Sequence, residues 1–149
     1  MKRIVYFILF SGLCIFFTTC SDSDTVRSVE RNYLDGNVYE LDAGNANELL
    51  AVQKLKFIML HEDSCGSCPQ TLQSFRSYAL QKAGRAVFAS LDMRRQSNFL
   101  NVQAAGRLPA IVVYDGSGLE IGSIASLGTN EASLARAVEL FMRANALAF

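Results

Sequence analysis

The sequence predicts an α/β domain with a mixed central sheet and helices on both of its faces. Three observations carry that expectation. Short apolar runs of strand length alternate with stretches of helical periodicity from Val38 onward. In the first half the strands are separated by helices, the pattern of parallel βαβ crossovers. In the second half Ala110–Tyr114 and Leu119–Ile124 flank Asp115-Gly116-Ser117-Gly118, a hairpin turn that makes its two strands antiparallel.

The chain opens with Lys2 and Arg3 before an apolar run from Ile4 to Phe17, broken only by Ser11 and Gly12. These are the charged and apolar regions of an export signal, short for a membrane-spanning helix, which needs about 20 apolar residues. The run closes in Phe17-Thr18-Thr19-Cys20, and Ser21-Asp22-Ser23-Asp24 follows. This closing stretch resembles the lipobox of bacterial lipoproteins, with Phe17 where that family prefers Leu and Thr19 where it prefers Gly, Ala or Ser. The resemblance implies that Cys20 is the lipidated first residue of the mature chain. Cys14 fits less well, because Leu13 precedes it and apolar residues continue after it. Ordinary signal cleavage and an uncleaved anchor are the competing readings, and all three put the domain outside the cytoplasm. The expected division is a signal over 1–20, a polar tether over 21–36 and the domain over 37–149.

Within the domain, Val38-Tyr39-Glu40-Leu41 alternates as a short strand and Asp42-Ala43-Gly44-Asn45 turns the chain. Asn45 to Gln53 is expected to be a helix, capped by Asn45 or Asn47, with Leu49, Leu50 and Val52 inward. Phe57-Ile58-Met59-Leu60 is a buried strand. Thr71 to Leu80 has Leu72, Phe75, Ala79 and Leu80 close to a helical stripe, and Gly84 is its natural stop. Ala86 to Leu91 is a second buried strand, and Arg94 to Ala105 a weaker helix that Gly106-Arg107-Leu108-Pro109 breaks. Asn130 to Ala144 closes the domain, with Leu134, Ala137, Val138, Phe141 and Met142 at helical spacing.

Composition narrows the function. Lys+Arg and Asp+Glu are both 14, so no net field steers nucleic acid to the chain. There is no glycine-rich phosphate loop, and the single histidine, His61, leaves no second one for a hydrolytic triad.

The chemistry gathers in Lys56 to Pro69, KFIMLHEDSCGSCP. Cys65 and Cys68 fall where a strand gives way to a helix, and Pro69 suits the helix's first turn. A helix N-terminus stabilises a thiolate, the species that attacks disulfides. The same Cys-x-x-Cys pair also suits half of a zinc site, with His61 as the remaining ligand, or a structural disulfide. Zinc prefers four protein ligands, and a disulfide closing so short a loop constrains the unfolded chain only slightly.

From Val38 to Arg143 these pieces resemble the thioredoxin family: a strand into Cys65-Gly66-Ser67-Cys68, then a helix, and Leu108-Pro109 directly before an apolar strand. The Asp115-Gly116 turn and the Gly128 start of the last helix also match. The resemblance implies a thioredoxin-like fold and a cis Pro109 facing the active-site sulfurs. It also implies that the backbone of Leu108 pairs with substrate as an added strand. Three positions depart from the family. Its tryptophans before the first cysteine and at the strand end are Ser64 and His61, and its buried acid beneath the second cysteine is Met59. Gly66-Ser67 is neither the dipeptide of thioredoxins nor that of the periplasmic oxidase, and leaves the direction of electron flow open.

The expected activity is thiol–disulfide exchange in the cell envelope, on the periplasmic side or outer surface. Cys65 attacks, Cys68 resolves, and Gly66, Ser67, Leu108, Met59 and His61 shape the site. Such chemistry uses no cofactor or metal. It needs cysteine-containing exported proteins as substrates and a membrane thiol or electron carrier as partner. The spacing from Cys68 to Pro109 resembles that of a minimal thioredoxin, without the inserted helical subdomain of the dedicated oxidase, and the resemblance implies reductase or isomerase duty. The alternatives are a non-catalytic binding module of a surface or secretion assembly and, with less support, a metallochaperone.

Overall fold

The computed structural model describes residues 33–96, 107–125 and 127–149. The signal with Cys14 and Cys20, most of the expected tether, and the greater part of the helix expected up to Ala105 lie outside these residues. In chain order the elements are β1 (Val38–Glu40), α1 (Ala46–Ala51), β2 (Leu55–His61), α2 (Cys68–Gln81) and β3 (Ala86–Asp92). They continue with α3 (Met93–Gln96), β4 (Ala110–Tyr114), β5 (Glu120–Ile124) and α4 (Glu131–Ala144).

The sheet runs β1-β3-β2-β4-β5. β3 lies parallel to both β1 and β2, whereas β4 is antiparallel to β2 and β5. The mixed sheet is thus as expected, and β2 sits at its centre.

Both faces of β2, β3 and β4 are covered, so their sequences read as continuous apolar runs and alternation decides only which helix each side chain meets. Ile58, Leu60, Val87, Ala89, Leu91 and Val112 pack with Leu49 and Val52 at the α1 side. Phe57, Met59, Phe88, Ile111 and Val113 pack with Phe75 and Tyr78 of α2 and with Leu134 and Val138 of α4. Phe88 is the hub of this second face, with the rings of Phe57, Phe75 and Tyr78 at centroid distances of 5.5, 5.6 and 6.1 Å. Each such fully buried aromatic stabilises the fold by about 1.5–3 kcal/mol relative to an exposed one.

Several local expectations need correction. Neither Asn45 nor Asn47 caps α1 with its side chain. Asp42 organises the entry instead, its Oδ1 accepting from Gly44 N at 2.7 Å and Asn45 N at 3.0 Å. Asn45 serves the preceding turn, accepting from Asp42 N and donating to Glu40 O. Spacing alone turns Leu80 inward, yet it is 61% exposed. Thr71 and Tyr78 take buried positions on α2 with Phe75 and Ala79, because that set keeps the helical step and Leu80 falls beyond it. The packed domain also reaches back before residue 37. Tyr33 is buried, and the backbone at Gly36 has φ +85 and lies so close to α2 that a Cβ would meet Leu80 Cα at 3.1 Å.

Lys56 is the least expected core residue. Its side chain is fully buried on the α1 side of β2, and its Nζ donates to the carbonyls of Asp115 at 2.7 Å, Lys54 at 3.0 Å and Gly116 at 3.4 Å. Burial lowers its pKa to about 8, against a smaller opposing effect of the Asp115 carboxylate. It lies at the N-terminal end of β2, the opposite pole of the sheet from the cysteines.

Candidate active site

β2 delivers the chain to the site. Past His61 the backbone turns, with Cys65 N donating to Glu62 O at 3.1 Å, and Ser64 Oγ donating to the Glu62 carboxylate. A second tight turn follows, Cys68 N donating to Cys65 O at 3.1 Å, and α2 begins at Cys68 with Pro69 in its first turn. Pro69 lacks an N–H that the helix would leave unpaired there anyway. Cys65 and Cys68 are joined as a disulfide with Cα atoms 5.3 Å apart. Their environments differ: Cys65 is half-buried, whereas Cys68 is 3% exposed.

Ser67 occupies the N-cap position of α2 without making a side-chain cap. Its Oγ lies 3.8 Å from Cys65 Sγ, and its carbonyl accepts from Thr71 Oγ1 at 3.0 Å. A Cβ added at Gly66 would meet nothing within 4 Å. The link between the cysteines is therefore open to approach from outside.

Leu60 pairs with Ala110, so Leu108 and Pro109 stand at the end of the sheet from which the chain departs for Cys65. The Leu108–Pro109 bond is cis, the isomer that the resemblance implied, and Pro109 is buried. Leu108 packs against the core cluster on the α1 side. Met59 is fully buried between Ser90 and Ile111 of the neighbouring strands, among the apolar residues of the α2 side. Its thioether offers no proton acceptor of the strength of a carboxylate.

His61 is the next residue after Met59 on the same face of β2, because side chains alternate along a strand. It is half-buried and borders two cavities. The smaller, about 210 Å³, is lined by His61, Glu62, Asp63, Cys68, Pro69 and Leu72. The larger, about 380 Å³, shares His61, Asp63 and Leu72 with it and extends to Arg76, Asp92 and Arg95. Asp92 is a site residue that the sequence reading missed. It pairs in register with His61, is 6% exposed, accepts from Arg94 N at 3.0 Å and meets Arg95 Nε at 3.3 Å. The available signal was a carboxylate closing the apolar run Ala86–Leu91, at a parity that puts it on the α2 side with Phe88.

Among the described residues no group of three or more His, Cys, Asp and Glu side chains is arranged to hold a metal. None of the described helices is long and apolar enough to cross a membrane.

No protein-family model matches the chain, and comparison with curated protein sequences finds no match. Comparison with solved structures finds similarity to thioredoxin f from spinach chloroplast, at 14% identity and a TM-score of 0.61, covering 76% of this chain and 92% of that one. A mutant thioredoxin from Halobacterium salinarum gives 16% identity and a TM-score of 0.54, covering 72% and 92%. Human ERp44 gives 15% identity and a TM-score of 0.56 over 69% of this chain and 29% of its own length. The chain has the thioredoxin-like fold.

Proposed function

We propose that this chain is a thiol–disulfide oxidoreductase of the bacterial cell envelope, held there by a lipid on Cys20. It acts through Cys65-Gly66-Ser67-Cys68 on cysteine-containing exported proteins, as a reductase or isomerase. One observation carries the reading: a Cys-x-x-Cys disulfide at the mouth of a helix, with Cys65 half-buried and Cys68 almost wholly covered. A helix N-terminus favours thiolate over thiol, and access selects which sulfur meets substrate. Cys65 attacks the substrate disulfide and one substrate thiolate leaves. Cys68 then attacks Cys65, releasing the second substrate thiol and closing the pair. The pair is reduced again by a membrane thiol or electron carrier.

Reduction of insulin by the wild type and by the Cys65→Ser, Cys68→Ser double variant tests the activity. Wild-type turnover that the double variant lacks is expected, and equal rates refute the reading in favour of a binding module. The order of attack is read by trapping. Cys68→Ala is expected to accumulate mixed disulfides with envelope proteins and Cys65→Ala to hold few. Equal trapping by the two variants would place first attack elsewhere.

A further inference from the structure

We infer that His61 is the proton acceptor for the Cys68 thiol when the mixed disulfide on Cys65 is resolved. The inference rests on the oxidoreductase reading and assigns a catalytic base within it.

Resolution needs a thiolate at Cys68, and Cys68 is the covered member of the pair. A free thiol ionises near pH 8.5, so near neutrality a covered thiol needs somewhere to send its proton. On the face of β2 that meets α2, Met59 is walled in by apolar side chains and offers no proton acceptor of a carboxylate's strength. The next position on that face is His61, and it shares a cavity of about 210 Å³ with Cys68. A space of that size has room for water between the two side chains, and water can relay a proton to a general base. The other titratable or charged groups that border the two cavities are Glu62 and Asp63 from the loop, Asp92 from β3, Arg95 from α3, Glu40 from β1 and Arg76 from α2. Two of the carboxylates are engaged, Asp92 by Arg95 and Arg94 N and Glu40 by Arg95 at 3.9 Å. Glu62 accepts from Ser64, and Asp63 is exposed. His61 is the one imidazole in the chain, and an imidazole nitrogen can accept this proton.

The Cys68 Sγ–H proton passes to an imidazole nitrogen of His61 through water in the cavity they share. The thiolate attacks Cys65 Sγ, so the Cys65–Cys68 bond forms as the bond from Cys65 to the substrate sulfur breaks. The electron pair leaves on the substrate sulfur, which takes up a proton from the imidazolium or from solvent. The substrate is reduced and the cysteine pair oxidised, with no further reactant.

The test uses the full chain in detergent, with Cys14 and Cys20 replaced by serine so that only the pair reacts. Reduced protein is mixed in stopped flow with an aromatic disulfide that releases one coloured thiolate on attack and a second on resolution. In His61→Gln the first phase is expected to keep its wild-type rate. The second should slow about a hundredfold near neutral pH, at the low end of what a general base contributes. Its rate should then climb about tenfold per pH unit towards the free-thiol range, where unassisted ionisation takes over. Carbethoxylation of His61 in the oxidised wild type, before reduction, gives a second reading that does not depend on a substitution. It should slow the second phase alike, and hydroxylamine should restore it. A His61→Gln second phase with wild-type rate and pH profile overturns the inference, as does parallel slowing of both phases. A wild type that shows neither phase overturns the oxidoreductase reading itself and the inference with it.

Discussion

Replacing Lys56 by Met should abolish a rise in stability with pH that the wild type shows between about pH 7 and pH 10. The amine titrates at about 8 in the fold against an ordinary 10.5, because burial disfavours its charge. Each tenfold change in proton affinity is worth about 1.4 kcal/mol, so the full displacement amounts to about 3 kcal/mol. The sign follows from linkage. Between the two pKa values the unfolded chain holds a proton that the folded chain has released, so stability increases with pH through that window. Integrated from about pH 7 to pH 10, the gain is about 2.5 kcal/mol. Tyr39, Tyr78 and Tyr114, each raised to about 12 chiefly by burial, work in the opposite sense. They lower stability once the pH passes the ordinary tyrosine value of about 10, and they do so equally in both proteins. Urea unfolding of the oxidised chain at constant ionic strength, with thiols outside the pair alkylated, gives the two profiles. The difference between wild type and Lys56→Met should grow in favour of the wild type by about 2–3 kcal/mol across the window. Parallel profiles would refute the reasoning, since they would mean that the amine keeps an ordinary affinity for its proton. A difference of opposite slope would mean that the three carbonyls hold the charge more strongly than water does.

Three further outcomes are expected. Cys20→Ala should leave an unlipidated precursor, and acyl label that persists in that variant, or never enters the wild type, would end the lipoprotein proposal. Met59→Asp should lose about 3 kcal/mol near neutral pH, because a carboxyl is buried among apolar side chains, with the loss easing in acid as the carboxyl protonates. If it folds, it should speed the second stopped-flow phase and restore that phase to His61→Gln; release no faster than wild type would show that residue 59 does not reach the Cys68 thiol. Gly66→Ala should change the stability of the oxidised chain by no more than about 0.5 kcal/mol, because its Cβ would enter open space. A larger loss in differential scanning calorimetry would show that this link is constrained.

The order of strands and helices was legible because each run is long enough to carry its own period, and the cysteine pair was legible because its neighbours announce a strand end and a helix start. What escaped the sequence depends on contacts made across it. Lys56 looks like the polar opening of a strand, yet its burial is decided by carbonyls of a turn 59 positions later. Apolarity alone points Leu80 inward, although Tyr78 reaches the core first and Phe88 receives it there. Asp92 reads as the soluble end of a strand until β2 is laid beside β3 in register and sets it opposite His61. Asn45 has the chemistry of a cap, but the turn before it competes for the same oxygen.

The outer strands of the sheet bear on how the chain behaves in a crowd. Among the described residues β1 offers only Val38–Glu40 along one margin. On the other margin β5 pairs Val113 with Gly122 but Tyr114 with Glu120, so Ile121 is an extra residue that interrupts the ladder. A neighbouring copy that tried to extend the sheet would find three residues on one side and a broken row of donors and acceptors on the other. Flat, long, regular margins are the ones that recruit further strands. The central β2, β3 and β4, whose apolar runs are the segments most prone to stack, are shut inside these two poor templates. Self-association through the sheet is thereby disfavoured for as long as the domain stays folded.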